Sequence, residues 1–212
     1  MTADTPLLIA RRGVLALAVA AFPFLSLRAA EGDAAKAQAV VNRLHEALLA
    51  AMKSAAALKF QGRAEALAPV LTETFNLPLM ARVAVGPGWK DLTEDQQRRF
   101  TDAFTRMTIA TYANRFDGYA GESFETLPEA PAQQNGFMVQ TRLNRTDGQP
   151  PVALNYLMRQ EKEGGYRIVD VYLSGAISEL ATRRSEYSTI LKRDGVEKLI
   201  EGVEARVKAL SS

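Results

Sequence analysis

The sequence predicts an α+β domain in which helices pack on a curved antiparallel meander sheet. Three observations predict it. Apolar residues recur at three- and four-residue spacing from about residue 33 to 116, the period of amphipathic helices. From 137 to 173 they alternate singly between Gly-containing turns, the period of strands with one buried face. Helical spacing then returns and runs to the C-terminus. Helices, a hairpin-linked sheet and more helices follow one another without an internal repeat or low-complexity linker, which is the order of one α+β domain.

The first predicted helix covers Asp33 to Leu58, rich in Ala, Lys, Gln and Leu. Val41, Leu44, Leu48, Met52 and Ala55 form one apolar stripe on it, and Gly62 is expected to break it. A second helix is predicted from about Arg63 to Thr74, with Leu67, Val70 and Leu71 inward. In Phe75–Val85, Pro78 suits the first turn of a short helix, and Gly86-Pro87-Gly88 ends it. Thr93 followed by Gln96 reads as a capping box. The helix it opens runs to about Phe116 with Phe100, Ala103, Phe104, Met107 and Thr111 on one face, widened by Tyr112 and Phe116.

Ser123–Leu127 is predicted as an edge strand, stopped by Pro128 and Pro131. Phe137, Val139, Thr141 and Leu143 alternate with polar neighbours, and Asp147-Gly148 signals a hairpin. Val152, Leu154, Tyr156 and Met158 make the next strand face. After the Lys162–Gly165 turn, Tyr166–Leu173 is expected to put Val169, Val171 and Leu173 on one face. From Ile177 the chain is predicted helical through Tyr187 and Leu191. A last amphipathic segment follows Gly195 with Val196, Leu199, Ile200, Val203, Val207 and Leu210.

Residues 1–30 have the three parts of a secretory signal: a polar start ending in Arg11-Arg12, an apolar block over 13–27, and small residues at Ala29-Ala30. The apolar block is short and interrupted by Pro23, whereas a bilayer span needs about 20 apolar residues. The expectation is export to the periplasm, by Sec or Tat, with cleavage after Ala29 or Ala30 and one domain over 31–212. An uncleaved anchor, making a membrane-tethered adaptor, is the alternative.

Beyond residue 30 lie 23 of the 26 basic and 23 of the 24 acidic residues. That balance argues against a nucleic-acid partner, which calls for a basic face. The chain has no cysteine and one histidine, so thiol catalysis, thiolate metal sites and a two-histidine metal site are excluded. His45 is read as a solvated or half-buried helix residue. No glycine-rich phosphate loop or paired-ligand motif is present, and neither a metal nor a cofactor is expected. For catalysis, Asp170 with Tyr156 and Tyr172 is the best acid/base set, yet Asp170 alternates out of register with the apolar strand face. A hydrogen-bonded structural aspartate is the simpler reading, and no enzyme activity is expected. What the sequence offers instead is two apolar surfaces. The sheet face with Val139, Leu143, Leu154, Tyr156 and Val171 can oppose helices carrying Phe75, Leu79, Met80, Val83, Phe100, Phe104 and Met107. Periodicity alone reads equally as a filled core or as the wall of a cavity.

Phe75-Asn-Leu-Pro-Leu-Met-Ala-Arg-Val-Ala-Val-Gly86, Trp89 and Leu92-Thr-Glu-Asp-Gln-Gln-Arg-Arg-Phe100 resemble the MlaC, or toluene-tolerance, family of periplasmic lipid-binding proteins. The resemblance continues through Phe104, Tyr112, Tyr166-Arg-Ile-Val-Asp-Val171, Gly175-Ala-Ile-Ser178 and Arg184-Ser-Glu-Tyr187. Thr182-Arg183 and Glu186 depart from the usual pattern, and Ser178–Tyr187 looks most like the hopanoid-associated HpnM branch. The resemblance implies an NTF2-like cone enclosing an apolar pocket for the tails of a phospholipid or hopanoid. It implies a soluble carrier handing lipid between an inner-membrane ABC transporter complex and an outer-membrane acceptor, and a monomer is expected. Phe75, Leu79, Met80, Val83, Phe104, Met107, Val139, Leu143, Leu154, Tyr156 and Val171 are then the expected tail-binding wall, with Trp89 near the mouth. An NTF2-like enzyme acting on an isoprenoid or lipid, with Asp170 as base, is the rival.

Overall fold

A computed structural model describes residues 24–128, 132–133 and 136–211. The first 23 residues of the expected export signal lie outside the described residues. The described residues fold as five α-helices and an antiparallel sheet, the α+β class expected. Helix α1 (Phe24–Lys53) carries the predicted stripe, and Val41, Leu44 and Leu48 are fully buried. Helix α2 (Ala55–Thr74) begins directly after Ser54 and is kinked at Lys59, whose φ of 52° lies in the left-handed region. The break therefore falls at Ser54 and Lys59 rather than at Gly62. Gly62 is helical and close to the Leu58 side chain, and a single glycine costs a helix only about 1 kcal/mol.

Helix α3 (Leu77–Val85) has Pro78 in its first turn, where no intrahelical N–H is needed, and Asn76 as its cap. A short 3-10 turn over Gly86–Asp91 leads to α4 (Glu94–Arg115). Both halves of the capping box form: Thr93 Oγ1 accepts from the Gln96 N–H, and Gln96 Oε1 accepts from the Thr93 N–H.

Strands β1 (Ser123–Thr126) and β2 (Ala132–Gln133) both pair with the outer edge of β3 (Gly136–Asn144). β3, β4 (Val152–Gln160) and β5 (Tyr166–Leu173) form the meander, and β6 (Ile177–Ser178) closes the order β1-β3-β4-β5-β6. The Asp147-Gly148 signal belongs to a longer loop over 145–151 rather than a two-residue hairpin. Pro150 and Pro151 have no N–H to give the ladder, so pairing resumes at Val152. The Asp147 carboxylate accepts from the Gln149 N–H within that loop.

In β5 the register shifts by one, so that Leu157 faces Asp170 while Met158 faces Ile168. Val169 is thereby the extra residue of a β-bulge. Ile168, Val171 and Leu173 share the face of Met158, Tyr156 and Leu154, which corrects the expected Val169–Val171–Leu173 alternation. Ile177 is strand and exposed, not the start of a helix. Helix α5 (Glu179–Leu210) instead starts after Ser178, whose hydroxyl accepts from the Ala181 N–H. At Gly195 (φ 83°, ψ 174°) α5 turns sharply, a conformation open to glycine and costly for other residues.

Helix α1 lies against β1, β3 and β5, while α4 packs on α2, α3 and α5. The core joins both layers, from Leu44 and Leu48 through Phe75 and Phe100 to Tyr156 and Ile168. Among the described residues, no helix is long and apolar enough to cross a membrane.

A candidate apolar ligand cavity

Between the sheet, α4 and the first turns of α5 the packing leaves a cavity of about 310 Å³. That is within the range of small-molecule sites. Six elements supply its wall. β3–β5 contribute Leu143, Val152, Leu154, Tyr156, Val171 and Leu173; α4 contributes Phe104, Met107, Thr108, Thr111, Tyr112 and Arg115, followed by Phe116. Phe75 and Met80 enter from the α2–α3 junction, and Glu179, Leu180 and Arg183 from α5.

Local structure explains why these side chains hold their places. The Asn76 N–H donates to the Ile168 carbonyl (2.9 Å), and Phe75 bridges the same strand. Asn76 Oδ1 caps the Leu79 N–H at 3.0 Å, while its Nδ2 donates to Glu161 at 2.7 Å. One residue thus ties the helical layer to the sheet edge and fixes Phe75 and Met80 on either side of itself. Phe75 meets the Tyr112 ring edge-on at 5.6 Å, and Tyr112 stacks on Phe116 at 5.7 Å.

The wall is apolar in chemistry as well as composition. The Thr108 and Thr111 hydroxyls donate back to the Phe104 and Met107 carbonyls, at 2.9 and 2.8 Å. Tyr156, buried to the same degree as Phe75, shares a hydrogen bond of 3.1 Å between its hydroxyl and His45 Nε2. His45 is 4% exposed and stacks on Phe124 with ring centres 3.9 Å apart. It is therefore a core residue, not the solvated or half-buried one expected. Burial pulls its pKa down to about 3, so it is neutral at pH 7, and burial pushes the Tyr156 and Tyr112 phenols up. Among the described residues, no buried side-chain polar atom lacks a partner. Apart from Arg115, Glu179, Arg183 and the Tyr112 phenol, such a surface offers a ligand contact but no hydrogen bond.

Of the predicted wall, Phe75, Met80, Phe104, Met107, Leu143, Leu154, Tyr156 and Val171 line this cavity. Four do not. Val139 is fully buried in the core, Leu79 is half-buried on α3, and Val83 is 39% exposed. Trp89 packs edge-on against Phe100 at 6.2 Å, as a loop tryptophan rather than a rim residue. Sequence reasoning missed the contribution of α5: nothing in the period of Glu179–Arg183 says that its first turn closes the wall.

Asp170 points away from the cavity. Its carboxylate accepts from the Val171 N–H (2.8 Å), the Leu180 N–H (3.1 Å) and the Ser178 hydroxyl. These bonds seat the α5 N-terminus on the sheet and leave Tyr172 and Tyr156 without a carboxylate between them. Burial raises the Asp170 pKa, against the opposing pull of those three donors. Among the described residues, no cluster of His, Asp and Glu could hold a metal.

Residues 42–205 match the family model described as MlaC protein, most of the chain. The chain belongs to the MlaC family. A similar solved structure is the phospholipid-binding protein from Ralstonia solanacearum, in complex with a phospholipid. It is 24% identical, with a TM-score of 0.72, covering 83% of this chain and 99% of that one. At this identity the likeness speaks for the fold. No curated protein matches this chain. Within the MlaC-family fold, the cavity here is the space between strands β3–β5 and helices α3, α4 and α5.

Proposed function

We propose that this MlaC-family chain is a periplasmic lipid carrier whose cavity takes the apolar tails of a phospholipid or hopanoid. The observation that carries the reading is a largely apolar cavity of about 310 Å³ in which the Thr108 and Thr111 hydroxyls bond their own helix and the Tyr156 hydroxyl bonds His45. Each methylene that enters contributes about 0.8 kcal/mol, and the Thr108, Thr111 and Tyr156 hydroxyls already have protein partners. Family membership supports lipid binding, as does the bound phospholipid of the Ralstonia protein. The export-type residues 1–30 support a periplasmic site of work. There the carrier would accept lipid from, or return it to, an ABC transporter complex in the inner membrane and exchange it at the outer membrane.

The test is detergent-free purification, organic extraction and mass spectrometry, paired with lipid transfer between vesicles. Lipid recovered in a fixed ratio to protein supports the carrier. Lipid-free protein that also moves none between vesicles refutes it.

A further inference from the structure

A second cavity, of about 250 Å³, lies beside the first. It is set between α4 and the two limbs that α5 forms on either side of Gly195. Its floor is apolar: Met107, Tyr187, Leu199 and Val203 are each no more than 4% exposed. Ile190 lines it from one limb and Gly202 from the other. The Arg183 charge at its edge is already engaged, facing Glu186 at 3.6 Å and interacting with the Tyr187 phenol.

Gly202 is the residue that packing does not explain. A glycine inside a helix is destabilising relative to alanine. Its backbone is not in the left-handed region, and a Cβ built on it meets no atom within 4 Å. The helix thus keeps space beside the second cavity where a side chain would fit.

Met107 and Arg183 line both cavities. Met107 is a partition that can move, because its side chain is unbranched and turns about three bonds. The Tyr187 hydroxyl holds it from the far side, donating to its Sδ at 3.3 Å. A thioether is a weak acceptor, so that contact is readily given up. Along α4 the first cavity runs from Arg115, whose side chain is 49% exposed, to Met107 at 3%. That stretch of helix spans about 12 Å at its rise per residue, less than an extended oleoyl tail. A tail entering at the exposed end therefore reaches Met107 with methylenes still to place.

We propose that the second cavity is a side compartment of the first, entered past Met107, which takes the terminal methylenes of a long lipid tail. This rests on the carrier reading above and deepens it: Met107 and Gly202 then set the tail length that the protein accepts.

Protein expressed from the full chain and purified lipid-free is mixed with vesicles of equal dilauroyl- and dioleoylphosphatidylglycerol, re-isolated and extracted for mass spectrometry. In this exchange methylenes pass from one apolar surrounding to another, so wild type is expected to load both lipids to a similar extent. Gly202→Phe fills the compartment from one limb and Ile190→Trp from the other. Each is expected to shift the load about tenfold toward the dilauroyl lipid, the worth of roughly two methylenes left without apolar contact. Lys192→Ala, on the exposed side of α5, keeps the wild-type ratio. In NMR spectra of the loaded protein, the oleoyl terminal methyl is expected to contact the Leu199 and Val203 methyls. An unchanged ratio in Gly202→Phe and Ile190→Trp, an equal loss of both lipids included, overturns the compartment and leaves the carrier standing. A terminal methyl that contacts only the Leu154 side of the first cavity does the same, as does a wild type that itself favours the dilauroyl lipid tenfold. Loading of neither lipid by wild type overturns both.

Discussion

Asp170 gives the sharpest separation of a structural carboxylate from a catalytic one. Replacing it with Ala removes the acceptor for three donors, the N–H groups of Val171 and Leu180 and the Ser178 hydroxyl. Hydrogen bonds to a charged group contribute about 1.5–3 kcal/mol each, but the burial that raises this carboxyl's pKa offsets part of that sum. A net loss of roughly 2–4 kcal/mol is expected, a large fraction of the 5–15 kcal/mol typical of a domain. In a domain of this size it lowers Tm by roughly 5–15 °C. Asp170→Asn keeps the shape and one carbonyl oxygen for the two N–H groups, so its cost is about 1 kcal/mol or less. The pH dependence has a definite sign. The native carboxyl keeps its proton to higher pH than the unfolded chain does, so its contribution is full below the ordinary carboxylate range. That contribution is lost as the pH rises through the raised native value, and Asp170→Asn removes this slope. Urea unfolding and thermal melts measure the stability, and lipid extraction of Asp170→Asn measures function, which is expected to match wild type. An Ala variant within about 0.5 kcal/mol of wild type would refute the anchoring role. Full stability of the Asn variant with loss of a turnover reaction would restore the catalytic one.

Leu154→Arg puts a charge into the cavity wall, where Leu154 is 8% exposed; lipid recovered per protein is expected to drop well below that of Lys192→Ala, an exposed α5 change. Equal recovery would mean that the ligand does not reach Leu154. For His45, burial lowers the native pKa to about 3, so the unfolded chain binds the proton first. Stability is full above about pH 6.5 and falls by up to ~1.4 kcal/mol per pH unit below it. His45→Phe should flatten that acid limb in denaturation curves taken from pH 7 to 4. Gly136→Ala would set a Cβ 1.7 Å from the Met158 carbonyl oxygen, across the β3–β4 ladder. Backbone must move, so a loss of about 3 kcal/mol or more is expected by calorimetry; a neutral result would mean that the start of β3 can shift freely.

The sequence by itself determined the local structure. Period 3.6 and period 2 pointed to the five described α-helices and the three meander strands, though not to the break at Ser54 and Lys59 or to the strand at Ile177, and Thr93 with Gln96 named a capping box that forms as written. Family motifs pointed to the same fold and to a ligand of apolar tails. These features are set within a few residues of one another, by propensity, patterning and caps, so a linear reading reaches them. The cavity was another matter. Val139 and Leu154 carry the same strand pattern, yet one is solid core and the other is cavity wall. The difference depends on which helix covers each position and how closely. Tertiary structure alone made Val169 a bulge, drew His45 into the core against Tyr156, and brought Arg115 at the end of α4 to Glu179 at the start of α5. The space between two apolar surfaces belongs to neither sequence segment. It is left by the way rigid layers meet, and the Arg115–Glu179 pair in its wall exists only because two distant helix ends meet there.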